Sequence, residues 1–396
     1  MNAPPSMRDW LRIFGPAWLV MMADIDVASI VTGLQAGASW GYHMVFIMIA
    51  LTLPLFVIQD AAGRLGTVGG LGLGEAISKY YGRKVAAIAA LPMAVSDFLQ
   101  YVAEYAGMAI GCSLIGFPVL LGLAMVYTVH TAIVVGRRYR QAEVILIPLS
   151  FVVVASIAVS TFFFPYDLTK VLSIGLTPLQ PYGNPSFDFL MAASIGAVIM
   201  PWMLYFHSGA DSRKKLKAGD LKLERMETLI GAIASEVLMA VIVLDGAHLS
   251  STGNFVSYSS LAQSLLPLGA NAPLVMGLGF IFAGFLALVV ISLGSAWGVL
   301  EALRWKSKSS FLWVYALESL PAVLVVLLAG GYIKLMLNLM VIYTIIVIPS
   351  LFFLGRLISS PSLMNGKHYG RREMVLFWAM SASVVVGGVL GLMSFA

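Results

Sequence analysis

The run Pro16-Ala-Trp-Leu-Val-Met-Met-Ala-Asp-Ile-Asp-Val-Ala-Ser-Ile-Val-Thr32 belongs to an apolar stretch long enough to cross a bilayer. Yet it carries two carboxylates, Asp24 and Asp26, near its middle. An ionised carboxylate in hydrocarbon is costly, so it faces a partner or a wet cavity. A cation is the simplest partner for two of them. The run therefore predicts a spanning helix with a cation site at mid-membrane.

The rest of the chain is consistent with a bilayer as solvent. Of its residues 60% are hydrophobic and 11% charged, and the mean hydropathy is +0.92. A water-soluble chain of 396 residues needs more polar surface than that. Apolar runs near the length of a spanning helix recur, and the alternation of a membrane barrel is missing. The lone Cys112 excludes an intrachain disulfide and any cysteine metal cluster. The short polar start, Met1 to Trp10, carries no cleavable signal pattern. Walker, zinc-protease and Ser/His/Asp patterns are absent, so an enzyme is not expected and no cofactor is implied.

Eleven helices are predicted, over 13–38, 43–63, 85–108, 110–133, 142–163, 187–209, 226–247, 272–299, 310–330, 333–355 and 373–395. Gly41, Gly82 and Pro165 mark some of their ends. The loop charges test this count. Every one of the 24 basic residues except Lys170 and Lys334 falls in loops on one side of the eleven-helix scheme. Basic loops stay on the cytoplasmic side, which predicts an inner (plasma) membrane protein. Its N-terminus is then cytoplasmic and its C-terminus extracytoplasmic.

Two segments interrupt the apolar pattern five helices apart. One is Asp24-Ile-Asp-Val-Ala-Ser in helix 1. The other is Ala197-Val-Ile-Met-Pro-Trp-Met in helix 6, where Pro201 removes a backbone donor. Broken helices at positions 1 and 6 fit a single transporter domain made of a 5+5 inverted repeat. The repeats would span about 13–163 and 187–355, with an extra helix at 373–395.

At these two breaks the chain resembles the Nramp family of divalent-metal transporters, whose pattern is Asp-Pro-Gly-Asn in helix 1 and Met-Pro-His in helix 6. Asp26-Val-Ala-Ser, with Trp40-Gly-Tyr downstream, is similar to the first. Met200-Pro-Trp-Met-Leu-Tyr-Phe-His-Ser is similar to the second. Gln59-Asp-Ala-Ala-Gly-Arg in helix 2 and Ala103-Glu-Tyr-Ala-Gly in helix 3 extend the likeness. The resemblance implies an all-α membrane protein of LeuT type. It also implies a metal site of Asp26, Ser29, the Ala197 carbonyl and Met200, with His207 as the family's second histidine. Asp24 is an added carboxylate beside it.

The departures are informative. The first histidine of Met-Pro-His is Trp202, and the helix 3 aspartate tied to proton transfer is Tyr101, although Glu104 remains. Helix 9 has Glu318 in its apolar part and no arginine there. These changes resemble the Nramp-related magnesium transporters, which work without proton coupling. Hard cations prefer oxygen ligands, while a thioether selects softer metals. Mg²⁺ also keeps several of its waters. A site widened by Ala28 and Ser29 fits a partly hydrated ion, whereas Met200 argues for a softer one.

Two aspartates two apart point about 200° apart on a regular helix, so both reach one ion only if the backbone is extended there. Glu104, Gln100, Trp202, His207 and Asn338 are expected in the ion pathway or its outer shell, with Asp97 and Glu236 as weaker polar candidates. The expected partners are a divalent ion and the lipid bilayer, without nucleic acid, for a monomeric chain. The leading expectation is Mg²⁺ (with Mn²⁺) transport by alternating access. Against it stand a proton-coupled Mn²⁺/Fe²⁺ carrier, an organic-cation carrier of the same fold, and a membrane metal sensor without turnover.

Overall fold

The computed structural model describes residues 6–136, 139–163, 166–249, 261, 265, 269, 271–328 and 332–394, and among these there are helices and no strands. The elements are α1 (Met7–Ile13), α2 (Pro16–Asp24), α3 (Val27–Trp40), α4 (His43–Gly69), α5 (Leu73–Tyr81) and α6 (Arg83–Leu114). Next come α7 (Val119–Gly136), α8 (Tyr139–Ser160), the single turn α9 (Leu168–Lys170), α10 (Pro185–Val198), α11 (Pro201–Lys214) and α12 (Leu221–His248). The chain continues through α13 (Ala272–Leu303), α14 (Lys308–Leu328), α15 (Tyr332–Ile346), α16 (Ile348–Ile358) and α17 (Arg371–Met393).

Among the described residues, nine helical spans are long and apolar enough to cross a membrane. The bent pair α2–α3 makes a tenth, and the shorter apolar α7 falls on the fourth predicted span. Predicted ends at 330 and 395, Pro165, and the basic pair Arg137 and Arg138 lie outside the described residues. The third span runs to Leu114 rather than 108. Its stop comes where Gly116 adopts φ +71° and Pro118 forbids further helix. Composition alone also missed α5, a short amphipathic helix with buried Leu73, Ala76 and Ile77.

Both interruptions are real breaks. The α2 and α3 axes diverge by 49°. Between them Ile25 leaves helical geometry and Asp26 is extended, with its carboxylate capping α3. No proline or glycine forces this break. A carboxylate that accepts a backbone N–H offers the chain an alternative to continued helix. Between α10 and α11, Ile199 leaves helical geometry, Met200 is extended and Pro201 occupies the first helical position. Proline suits that position because its missing donor would be unpaired there anyway.

The broken pairs occupy the middle of the bundle. From Pro16 to Gly37, and from Leu190 through Asp211, every residue is buried. Helix α12 packs along α3 and α4, α13 along α6 and α11, and α10 against α15 and α17. The start of α2 is clipped to α12 by one carboxylate. Glu227 Oε1 accepts from the N–H groups of Gly15 at 2.7 Å and Trp18 at 2.9 Å. Residues assigned by charge to one face do meet. Arg12 pairs with Asp220, Lys214 with Glu143 at 2.6 Å, Arg213 with Glu301 at 2.8 Å, and Arg64 with Glu373 at 3.3 Å.

Helices α3 and α12 touch backbone to backbone. A Cβ built on Gly37 would sit 1.9 Å from the Val243 carbonyl oxygen. Neither atom belongs to a flexible side chain, so the helices must part. Gly37→Ala is therefore expected to lower stability by about 1–3 kcal/mol, the usual cost of overpacking. Thermal unfolding in detergent checks this, and a variant melting with the parent would refute the close apposition.

Candidate metal centre

Pro201 creates one part of the centre by what it lacks. In an unbroken helix the amide of residue 201 would bond the carbonyl of Ala197, four residues back. Proline has no N–H, so that carbonyl is released. Ser29, on the first turn of α3, answers it: its Oγ donates to the Ala197 oxygen at 3.2 Å. One hydrogen bond thus ties the two breaks together, and it joins residues 168 apart in sequence.

Asp26 lies beside this bridge and is fully buried. Its Oδ1 accepts from the Ser29 N–H at 2.7 Å. Its Oδ2 accepts from the Gln100 amide on α6, also at 2.7 Å. The same amide nitrogen donates to Glu104 Oε1 at 2.7 Å. Glu104 Oε2 in turn accepts from the Val27 N–H at 3.1 Å, so this acid also caps α3. Tyr343 on α15 fixes the amide by donating to Gln100 Oε1 at 3.0 Å. Two acids, one amide and the positive end of α3 form a single group in which the carboxylates meet donors.

The other sequence candidates fall in different places. Asp24 does not join this group; it turns to α12, where Ser235 Oγ reaches its Oδ2 at 3.4 Å and its Oδ1 finds no partner in the protein. The extended backbone at Asp26 aims the two aspartates at different helices. Next to Ser235 lies Glu236, fully buried with both oxygens unpartnered. Met200 is fully buried, and the Trp202 indole N–H donates to its sulfur at 3.3 Å. Asn338 is half-buried on α15 and makes no hydrogen bond to the Asp26 group. Asp97 is buried on α6 with both oxygens unpartnered, and Glu318 accepts from Ser295 at 2.9 Å. His207 lies seven residues along α11 from Met200, roughly 10 Å at helical rise.

Tyr101, which takes the place of an acid in the resemblance, donates to Ser292 at 2.5 Å. Ser292 also meets His130 at 2.8 Å, and Tyr315 contacts the other ring nitrogen at 3.2 Å. This cluster of hydroxyls and imidazole, with Glu318 beside Tyr101, was not anticipated. His130 sits in an apolar run and carries no local signal of its partners on α13 and α14.

A cleft of about 1000 Å³ is lined by Glu75, Ser212, Arg213, Trp297, Glu301 and Arg304 among others. It lies at the basic face and does not reach Asp26. The centre is enclosed by protein on every side.

Fold and centre define a helical membrane protein in which two broken helices face each other around a buried carboxylate. Comparison with known proteins places the chain more closely. A family model described as natural resistance-associated macrophage protein-like (Nramp) matches residues 17–394, and the chain belongs to that family. Proteins named divalent metal cation transporter MntH from Yersinia pestis (strain Pestoides F) and Yersinia pseudotuberculosis (serotype O:1b, strain IP 31758) are each 27% identical over 337 residues, 82% of this chain and 81% of theirs. The crystal structure of the Eremococcus coleocola manganese transporter, with an aromatic bis-isothiourea compound, superposes with a TM-score of 0.85 at 18% identity, over 98% of this chain and 88% of that one. MhsT in complex with L-phenylalanine matches at TM-score 0.61 and 10% identity, over 100% of this chain and 99% of the other. The fold is thus the LeuT-type architecture expected from the breaks.

Gln100 holds the two acids apart by donating to both. Gln100→Leu would leave them facing each other without that donor. It is expected to cost about 1–3 kcal/mol, the penalty for an unsatisfied buried polar group. A thermal melt reads this directly; an unchanged melting temperature would remove Gln100 from its bridging role.

Proposed function

We propose that this protein carries divalent cations across the cytoplasmic membrane by alternating access, Mg²⁺ foremost and Mn²⁺ with it, without coupled proton movement. The observation that carries the reading is the bridge from Ser29 to the Ala197 carbonyl beside Asp26. It brings a carboxylate, a hydroxyl and the released carbonyl at the end of one half-helix to the start of another at one buried point. Carbonyl-rich helix ends and one acid at mid-membrane are what an incoming cation needs. The family and the names of the MntH relatives support divalent-metal transport.

Preference for a hard ion is supported by the sulfur. Met200 would be the soft ligand, but its thioether accepts the Trp202 N–H. Oxygen donors then dominate, and those suit Mg²⁺ and Mn²⁺. Ser29 is short, so a partly hydrated ion fits where a longer amide would demand direct contact. Asp26 is the ligand, Ser29 and the Ala197 carbonyl complete the near shell, and Gln100 and Glu104 hold Asp26 in place. Asp24, facing Ser235, is a station on the path rather than a second ligand.

Absence of proton coupling is supported by Tyr101, whose hydroxyl is engaged with Ser292 where an acid would have to load and unload. An inside-negative membrane potential gives about 2.3 kcal/mol per charge per 100 mV, enough to draw a divalent ion inward without a proton. The basic loops set the N-terminus on the cytoplasmic side. A manganese-selective reading retains support from the likeness to a protein named as a manganese transporter, that of Eremococcus coleocola.

Reconstitution into liposomes separates these readings. With an internal pH dye, Mg²⁺ influx without acidification is expected, and Asp26→Ala should abolish it while the protein stays monodisperse. Mn²⁺ entry with acidification and no Mg²⁺ entry would overturn the assignment. A second outcome probes the sulfur. Trp202→His should free Met200 and raise the Mn²⁺-over-Mg²⁺ transport ratio by about tenfold, the scale of altering a group that orients a ligand.

A further inference from the structure

Two turns below the Asp26 centre, a second set of ligand-type atoms converges. His207 and Asp211 stand four apart on one face of α11, and Glu224 opposes them from the first turn of α12. All three are fully buried. His207 Nε2 lies 3.3 Å from Glu224 Oε1 and 3.8 Å from Asp211 Oδ2, and the three ligand atoms are within 4.8 Å of one another.

The protons in this cluster point outward. Gln59 Oε1 is an acceptor and lies 3.0 Å from His207 Nδ1, so the ring proton sits on Nδ1. The lone pair of Nε2 then faces two carboxylates, and Nε2 has no hydrogen-bond partner within the protein. Glu224 Oε2 and Asp211 Oδ1 have none either. Three acceptors thus face one another. The basic side chains nearby are engaged elsewhere: Arg225 pairs with Asp60 at 3.3 Å and Arg64 with Glu373 at 3.3 Å. Among the described residues, no lysine or arginine pairs with Asp211 or Glu224 within 4.0 Å.

We infer that His207, Asp211 and Glu224 form a second divalent-cation site at the inner end of α11, distinct from the Asp26 centre. The spacing suits it. With bonds near 2.1 Å, ligands at a tetrahedral angle sit about 3.4 Å apart and opposed ligands about 4.2 Å. The supporting contacts suit it as well. A metal-binding histidine donates its other N–H to an oxygen, and ligating carboxylates are themselves hydrogen-bonded. Gln59 takes the first role. Thr67 donates to Asp211 Oδ2 at 3.0 Å and Thr228 to Glu224 Oε1 at 2.9 Å. Helix α4 leaves the room bare. A Cβ on Gly63 would lie 1.9 Å from Glu224 Oε1 and 2.9 Å from His207 Nε2. The basic-face cleft begins at Ser212, one residue beyond Asp211.

One imidazole with two carboxylates favours a transition-metal ion such as Mn²⁺ or Co²⁺ over Mg²⁺, because imidazole adds a nitrogen ligand that suits transition metals better than Mg²⁺. This site and the oxygen-rich Asp26 centre therefore rank metals differently. Nothing in the inference depends on which ion the upper centre carries.

Equilibrium binding of Mn²⁺ to the purified full-length chain, counted by electron paramagnetic resonance, tests it. Wild type is expected to bind two ions, Asp26→Asn one, Glu224→Gln one, and the double variant none. Glu224→Gln keeps the side chain's size and an acceptor for Thr228. As a milder variant, Thr228→Val should weaken the second site about tenfold or more and leave the first unchanged. Co²⁺ bound to Asp26→Asn should give visible absorption that His207→Gln removes. If wild type binds one ion and only Glu224→Gln loses it, the Asp26 reading fails and this one stands. If Glu224→Gln and Thr228→Val both leave Mn²⁺ binding unchanged, the cluster holds protons and the inference is overturned.

Discussion

The architecture depends on one missing donor. Pro201 cannot bond the Ala197 carbonyl, so a strong acceptor is stranded in a place without water. In lipid such a group must be answered from within the protein. Ser29 supplies the answer across the bundle, but only because α3 begins afresh at Asp26. The two breaks therefore require each other. A continuous first helix would have no serine hydroxyl at that point, and a continuous sixth would have no free carbonyl.

Much of this was legible in the chain. Acid in hydrocarbon and proline in an apolar run are local signals, and each has a direct energetic meaning. So do the basic loops, whose residues meet as pairs on one face. The assembly of the candidate centre was legible only in part. Asp26, Ser29 and Ala197 converge as the resemblance implied, and Gln100 and Glu104 join them because they lie one turn apart on α6. Asp24 was harder to place, since its direction hinges on the two-residue bend after it. His130, Tyr343, Asp211 and Glu224 were not singled out at all. Each is an ordinary residue in its own helix, and what distinguishes it is a partner on another.

The polar interior is sorted into separate groups. Around Asp26 the carboxylates meet donors from amides and helix starts. Around Tyr101, hydroxyls of Ser292 and Tyr315 meet the His130 imidazole, with the Glu318 carboxyl close by. Around His207 the acceptors outnumber the donors. Burying polar groups is tolerable only when each finds a partner, so the three groups differ in what they still want. The first is satisfied within the protein, the second leaves only Glu318 Oε2 beside it without a partner, and the third is short of positive charge.

The clip at Glu227 has a mechanical consequence. Helix α3 is interlocked with α12 through bare backbone at Gly37, so the two move as one beam. Helix α2 is hinged to that beam by two non-helical residues, and its far end is held by two N–H bonds to the Glu227 carboxylate and by the Trp18 indole donating to Ser150 on α8. Swinging α2 outward breaks those three bonds and leaves α3 untouched. The N-terminal half of the first span is thus a latch with its own release energy, separate from the rigid C-terminal half that carries Ser29.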